Sequence, residues 1–447
     1  MIKKISLGLL AILLLVVGVL FYMNYPKLEI VSSYSAKKMC SCTFMGKRSQ
    51  ESIQEQDLAM FPLSLSKTEI DHEHKRVTTS VFGMHTKVAE YRDRLGCVLI
   101  HDGDDYHVKT PPKAIAYDTP TELFPYGDVV NISKTLGTDI QKVTDAAEAL
   151  FDDNYQMTYK KTRAILIVHR DSIIYEQYAD GYTKDTPMLG WSMTKSLMNT
   201  WAGILTKEGK ISLDQKGLFS DWTDERKNIS FKHLLNMTSG LEWQEVYDNI
   251  SSATNMLYTS ENNGAFAKNQ LQEFDPGTDW KYSSGTSNIL SLLYRNMYND
   301  HADYLNFPYE RIFGPLNMKN TTIETDESGT FIGSSYCYST ARDWARYGLF
   351  YLHDGVWNGE RILPEGWVDF TQQKALPEVN VYGAQFWLNK ECSFYPNAPH
   401  DLYNPSGFEG QRVFIIPSKD LVIVRMGLNG KVDFDSFLKE VCEAVGE

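Results

Sequence analysis

Positive charge is in short supply in this 447-residue chain. Lys and Arg number 44 against 57 Asp and Glu, a formal net charge of −13. Nucleic-acid binders need basic surface to neutralise phosphates, so that class is set aside. Cysteine is scarce too, with six in the whole chain. The doublet at Cys40 and Cys42 has no second pair at ligand spacing, which removes a zinc module. His72-Glu73-His74 has no third ligand in view and reads as a solvated loop. Repeats of fixed period and low-complexity tracts are lacking, which removes solenoids and disordered linkers. Long apolar runs are lacking as well, with one exception at the N-terminus.

That exception, Ile5 to Met23, carries no charge and follows Lys3 and Lys4. It has about the ~20 residues that cross a bilayer as a helix. The flanking lysines favour a cytoplasmic N-terminus. A cleaved signal peptide is the rival, but the run is long and "FYMNYP" offers no small-x-small site. The residues "AKKM" before Cys40 are too charged for a lipid-attachment box. The expectation is an anchor over residues 1–24, spanning with residues 5–23. It makes a single pass of the cytoplasmic membrane, with the rest of the chain on the periplasmic or extracellular side. An oxidising compartment then allows a disulfide. Cys97 is expected to bridge Cys40 or Cys42, since Cys40 with Cys42 would close a strained ring. Cys337, Cys392 and Cys442 stay open between bonded and reduced.

Composition is otherwise that of a folded protein, 43% hydrophobic and 13% aromatic. Residues 25–130 read as an extension with short strands, "RVTTSVFGM" and "CVLIHDGD" among them, ending in a Pro-rich connecting segment. Residues 131–447 read as the main domain. "AILIVHRDSIIYEQYAD" and "QRVFIIPSKDLVIVRMG" are apolar, β-rich pairs of runs around polar turns, hence hairpins. "DFDSFLKEVCEAV" has helical periodicity. Strands at both ends with helices between predict α+β: one antiparallel sheet flanked by helices, plus a helical subdomain.

Three stretches carry chemistry. Ser-x-x-Lys occurs four times, at Ser35/Lys38, Ser64/Lys67, Ser192/Lys195 and Ser436/Lys439. Ser192 opens a helix whose Met193, Leu197, Trp201 and Leu205 form an apolar stripe. Residues i and i+3 are neighbours on a helix, so Lys195 can act as base to a Ser192 nucleophile. Taken alone the motif more readily describes an N-cap and a solvated first-turn lysine. Tyr282, after the Pro276-Gly277 turn, heads a second helix and can shuttle a proton. In "PSGFEGQRVFIIP", Gly410 allows close approach of a substrate. Gln411 N–H, with Ser192 N–H, is then the expected oxyanion hole.

Together the three resemble the serine β-lactamase and penicillin-binding superfamily. "ISFKHLLNMTSGLEW", "IFGPLNMKNT" and "YSTARDWARYGLFYLHDGVWNGERILPEGWV" are similar to its class C-like branch, nearest to 6-aminohexanoate-dimer hydrolases and esterases. The resemblance implies a β-lactamase/transpeptidase-like fold and a serine hydrolase that cleaves a small-molecule amide or ester through an acyl-enzyme, with no metal or organic cofactor. It implies Ser192 as nucleophile, Lys195 and Tyr282 as proton carriers, and Ser284, Phe408, Glu409 and Gly410 against the substrate. Two departures stand out. Ser284 replaces the asparagine of Tyr-x-Asn, and Phe408-Glu409 replaces the cationic pair before the glycine. The second departure implies weak holding of substrate carboxylates. A slowly turning over penicillin-binding sensor and a non-catalytic envelope scaffold are the alternatives.

Overall fold

The computed structural model describes residues 2–101, 111–115, 117, 121–130, 137–151, 161–429 and 431–446. The chain opens with helix α1, Ile2–Phe44, unbroken across the boundary expected at residue 24. Its described side chains between Leu9 and Pro26 are exposed and mostly apolar; from Val31 to Cys42 most are buried. Residues 25–44 of the expected extension are therefore helix. Small residues on α1, among them Ser32, Ser33, Ser35, Ala36 and Ser41, have no exposed surface. They let a sheet lie close along the helix.

That sheet is a four-stranded antiparallel meander, β1 (Ser66–Asp71), β2 (Arg76–Val81), β3 (Met84–Arg92) and β4 (Gly96–Ile100). A disulfide joins Cys40 of α1 to Cys97 of β4. Cys42 stays a buried free thiol. Residues i and i+2 of a helix point to different sides, so only one of the two faces Cys97. Two buried ionic clusters add to the seam. Asp57 lies between Lys38 at 3.2 Å, Arg48 at 2.5 Å and Arg163 at 2.8 Å. Glu324, from the main domain, meets Lys37 at 2.9 Å and accepts from Ser41 Oγ and the Cys97 amide. The boundary expected at 130/131 adjoins residues 131–136, outside those described, as are the turn after β4 and parts of the Pro-rich segment.

The main domain is built on a seven-stranded antiparallel sheet. Both expected hairpins are in it: β5 (Thr162–His169) with β6 (Ser172–Tyr178), and β8 (Gln411–Ile416) with β9 (Leu421–Gly427). β9 pairs with β5, so strands from the two ends of the domain meet at the centre. A short strand β7 (Ser406–Gly407) pairs with the start of β8. Successive side chains of a strand point to opposite faces. Ile165, Ile167, Phe414 and Ile423 accordingly pack under α2 (Ile140–Glu148) and the C-terminal helix α6 (Phe434–Ala444). Leu166, Val168, Val413 and Val424 face the larger core. Burial on both faces explains why these strands read as continuous apolar runs rather than alternation. The larger core holds α3 (Thr194–Lys207), α4 (Ser284–Asn296) and α5 (Ala341–Leu352). In it Trp201 of α3 stacks on Phe307 at 4.5 Å.

Candidate active site

Ser192 sits in a single 3-10 turn, Trp191–Met193, that runs into α3. The strand Met188–Leu189 pairs with Cys337–Ser339 just before it. Gly190 N–H donates to Cys337 O, and Thr194 Oγ donates to Trp191 O. Trp191 takes a positive φ of 49°, a strained conformation for a bulky residue. Such strain persists where the surroundings over-determine it, commonly at functional sites. The turn is pinned from both sides, and Ser192 remains partly exposed.

Lys195 is buried, at 1% exposure. Its Nζ lies 2.9 Å from Ser192 Oγ, 3.0 Å from Ser284 Oγ and 3.0 Å from Ser334 O. Burial lowers its pKa to about 8, with the Glu245 carboxylate pulling weakly the other way. A neutral amine there gives its two N–H groups to Ser334 O and Ser284 Oγ and turns its lone pair to the Ser192 hydroxyl. That is the geometry of a general base.

Ser284, at the first turn of α4, is fixed by a residue the sequence reading did not single out. Its Oγ donates to Glu245 Oε1 at 2.5 Å and its backbone N–H donates to Glu245 Oε2 at 2.8 Å. Glu245 is held in turn by Trp243 Nε1 and the Tyr247 hydroxyl. With its proton on Glu245, Ser284 presents a lone pair to Lys195. In "SGLEWQEVY" Glu245 stands four residues after Gly240-Leu241, and nothing local marks it.

Tyr282 lies two residues before α4, with Lys195 Nζ 4.9 Å from its ring centroid. Burial, then the Glu245 charge, push its phenol well above the usual tyrosine range, while a hydrogen bond with Ser192 acts in the opposite sense. It is a neutral donor at any ordinary pH. Trp387 and Tyr382 pack on its ring, at 5.1 and 5.8 Å.

The glycine loop differs from expectation. Gln411 N–H donates to Phe408 O, and the Gln411 side chain brackets Gly427 through both its amide atoms. Gly410 has φ 78° and gives its carbonyl to buried Arg425. Both therefore hold the loop to β9. The close approach is made by Gly407: a Cβ there would stand 2.1 Å from Gly190 O. The Gln411 amide, expected in the oxyanion hole, is thus already engaged within its own turn. Glu409, at φ 60°, accepts from Trp191 Nε1 at 3.0 Å. Phe408 is half exposed and contacts Trp191 edge-on at 5.8 Å and Tyr247 at 6.0 Å. Arg412 donates to the Gly407 and Gln411 carbonyls. The extension reaches the same place: Tyr34 of α1 stacks on Trp191 at 6.1 Å, and Lys38 Nζ lies 5.4 Å from its ring. Among the described residues, no cluster of three or more His, Cys, Asp or Glu could hold a metal.

Comparison with known proteins adds to this geometry. The family model described as Beta-lactamase matches residues 156–431. A 6-aminohexanoate-dimer hydrolase of Paenarthrobacter ureafaciens is 25% identical over 301 residues, 59% of this chain and 72% of that protein. A solved Bacillus anthracis structure, provisionally assigned as a 6-aminohexanoate-dimer hydrolase, matches at 22% identity and TM-score 0.58. The match covers 75% of this chain and 89% of that one. A penicillin-binding protein homologue from Caulobacter crescentus matches at 15% identity and TM-score 0.50, over 68% and 96%. These last two establish the likeness of fold.

Proposed function

This chain belongs to the beta-lactamase family, and from that premise we propose that it is a serine hydrolase cleaving an amide or ester through an acyl-enzyme on Ser192. The carrying observation is Lys195: buried, its pKa lowered to about 8, and 2.9 Å from Ser192 Oγ. Lys195 takes the Ser192 proton as Oγ attacks the substrate carbonyl. The oxyanion lies between Ser192 N–H and Phe408 N–H, the amide that follows the close-approaching Gly407. Tyr282 hands a proton to the leaving amine or alkoxide and takes in its place the one Lys195 removed from Ser192, and water then hydrolyses the ester on Ser192. The relative's name supports an amide of an aminoacyl type as the first substrate class to test.

Phe408 carries no charge, Glu409 is engaged with Trp191, and the Arg412 guanidinium is taken up by the Gly407 and Gln411 carbonyls and the Phe434 ring, so these residues do not supply the missing cation. A charge-assisted hydrogen bond is worth about 1.5–3 kcal/mol, roughly ten- to a hundredfold in binding. Neutral and cationic substrates are accordingly preferred over those with a carboxylate beside the scissile bond. The reading also includes an anchor. α1 is long and apolar enough to cross a membrane, with the catalytic domain on the periplasmic or extracellular side.

The test is labelling of the full chain with a fluorophosphonate, with Ser192→Ala alongside, followed by kcat/KM across matched neutral, cationic and carboxylate-bearing esters and amides. Loss of label in the variant and turnover in the parent are expected. Equal labelling of both, or acylation of the parent without turnover, overturns the assignment.

A further inference from the structure

One end of the small sheet carries aromatic and apolar side chains that the core does not use. Phe82, at the tip of the β2–β3 hairpin, is 65% exposed; Phe61 is 74% and Met60 67% exposed. Single exposed apolar residues are ordinary, but grouped ones mark a contact surface. These three are grouped by the register. Ser66 at the start of β1 pairs with Val81, next to Phe82. A tight turn, Ser64 N–H to Met60 O, holds Met60 and Phe61 beside that same start.

The orientation of α1 says what meets this end. Three contacts lay the helix along β3: Tyr25 against His85 at 4.5 Å, Glu29 with Lys87 at 2.6 Å, and Phe44 against Tyr91 at 5.8 Å. The helix thus enters the domain at the hairpin tip and travels away from it. Its exposed apolar segment, ending in Phe21, Tyr22 and Met23, leaves the domain at the level of Phe82 and Phe61. Tyr22 and Tyr25 are of the kind that settles at a membrane–water interface.

We propose that Phe82, Phe61 and Met60 form a collar around the exit of α1 that inserts into the lipid headgroup region. The collar fixes the catalytic domain against the bilayer rather than leaving it on a swivel. Tyr34, on the same unbroken helix, is eleven residues past Met23. At 1.5 Å rise per residue the Trp191–Ser192 turn then stands roughly 15–20 Å above the apolar boundary. The proposal rests on the anchor reading given above. The partner is a lipid surface, recognised by interfacial aromatics and not by charge.

The experiment uses the full chain reconstituted into phosphatidylethanolamine/phosphatidylglycerol vesicles. A spin label is placed at Phe82→Cys, at Phe61→Cys and, as an aqueous reference, at exposed Glu360→Cys, each in a Cys392→Ser background. Collision rates with oxygen and with a water-soluble nickel chelate are compared. The expected result is oxygen in several-fold excess over nickel at 82 and 61 relative to 360. Nickel access at 82 and 61 equal to that at 360 overturns the collar. Low collision with both reagents overturns it too, since that marks protein contact. An alkaline carbonate wash separates the two readings. A chain that stays with the vesicles while 82 and 61 are aqueous keeps its anchor and loses its collar; a chain released by the wash loses both.

Discussion

Two lysines show how one tetrapeptide yields opposite chemistry. Lys38 and Lys195 both close a Ser-x-x-Lys, both lie on helices and both are buried, at 3% and 1% exposure. Burial disfavours the charge on each. For Lys38 burial is the largest single effect, but Asp57 at 3.2 Å, Glu409 and Cys42 together outweigh it, and the pKa is raised. Lys195 meets two hydroxyls and a carbonyl, with the Glu245 charge one residue further off behind Ser284, and its pKa falls to about 8. One is a permanent ammonium that ties the extension to the domain; the other can give up its proton near neutrality. The motif sets reach along a helix. The facing groups set the role.

The largest test of this contrast exchanges each lysine for methionine. Lys195→Met is expected to lower kcat by about two to four orders of magnitude, the usual scale of a lost general base, with KM little changed. Lys38→Met should lower Tm and leave turnover in place. Equal losses of kcat from the two would erase the distinction. Next in size is Asp57→Ala, which strands Lys38, Arg48 and Arg163 without their anion. Breaking a buried ionic cluster in this way costs about 3–5 kcal/mol, measurable by urea titration of the wild type and variant.

The pH dependences sharpen the same comparison. Burial raises the Asp57 carboxyl, but Lys38, Arg163 and Arg48 outweigh it and hold the pKa well below the usual range. A depressed acid pKa contributes stability that is full above the unfolded value, about 3.9, and drains as pH falls beneath it. Wild type should therefore lose its advantage over Asp57→Ala on acidification below about pH 4. For Lys195 the active form is the free amine, so kcat/KM should rise through an apparent pKa about 8. Glu245→Gln removes the charge that raises it, and the rising limb should move to lower pH. A limb that stays in place would free Glu245 from any electrostatic role. The smallest effect is expected at the junction of the regions. Tyr34→Ala removes the ring stacked on Trp191 and should lower kcat several-fold, with Tyr34→Phe restoring it. A change in Tm alone would make Tyr34 packing only.

The two hairpins and the final helix were legible because they are short-range patterns: β-rich runs around polar turns, and apolar residues at helical spacing. Ser192 and Lys195 were readable as neighbours for the same reason. Glu245 was not, because its partner Ser284 lies on another element and only folding brings a carboxylate to that helix start. The loop at Gly407–Gln411 offered two glycines a short step apart. Sequence alone favoured Gly410, at the strand start. Only the fold packs Gly407 on Gly190 O and engages Gln411 N–H within its own turn.

By itself, then, the sequence determined the antiparallel α+β architecture, the uncharged N-terminal run, and a serine and lysine one helical turn apart. Each follows from periodicity or composition over a few residues. Tertiary structure alone decided that α1 continues past Met23 into the core, that Cys40 and not Cys42 meets Cys97, and that Lys38 stays charged while Lys195 does not. In the last case the difference is one of readiness, since Lys195 gives up its proton near pH 8 and Lys38 does not. These depend on which distant groups arrive within a few ångströms. Burial and Coulomb interaction act across space, so their outcome is written only once the chain has folded.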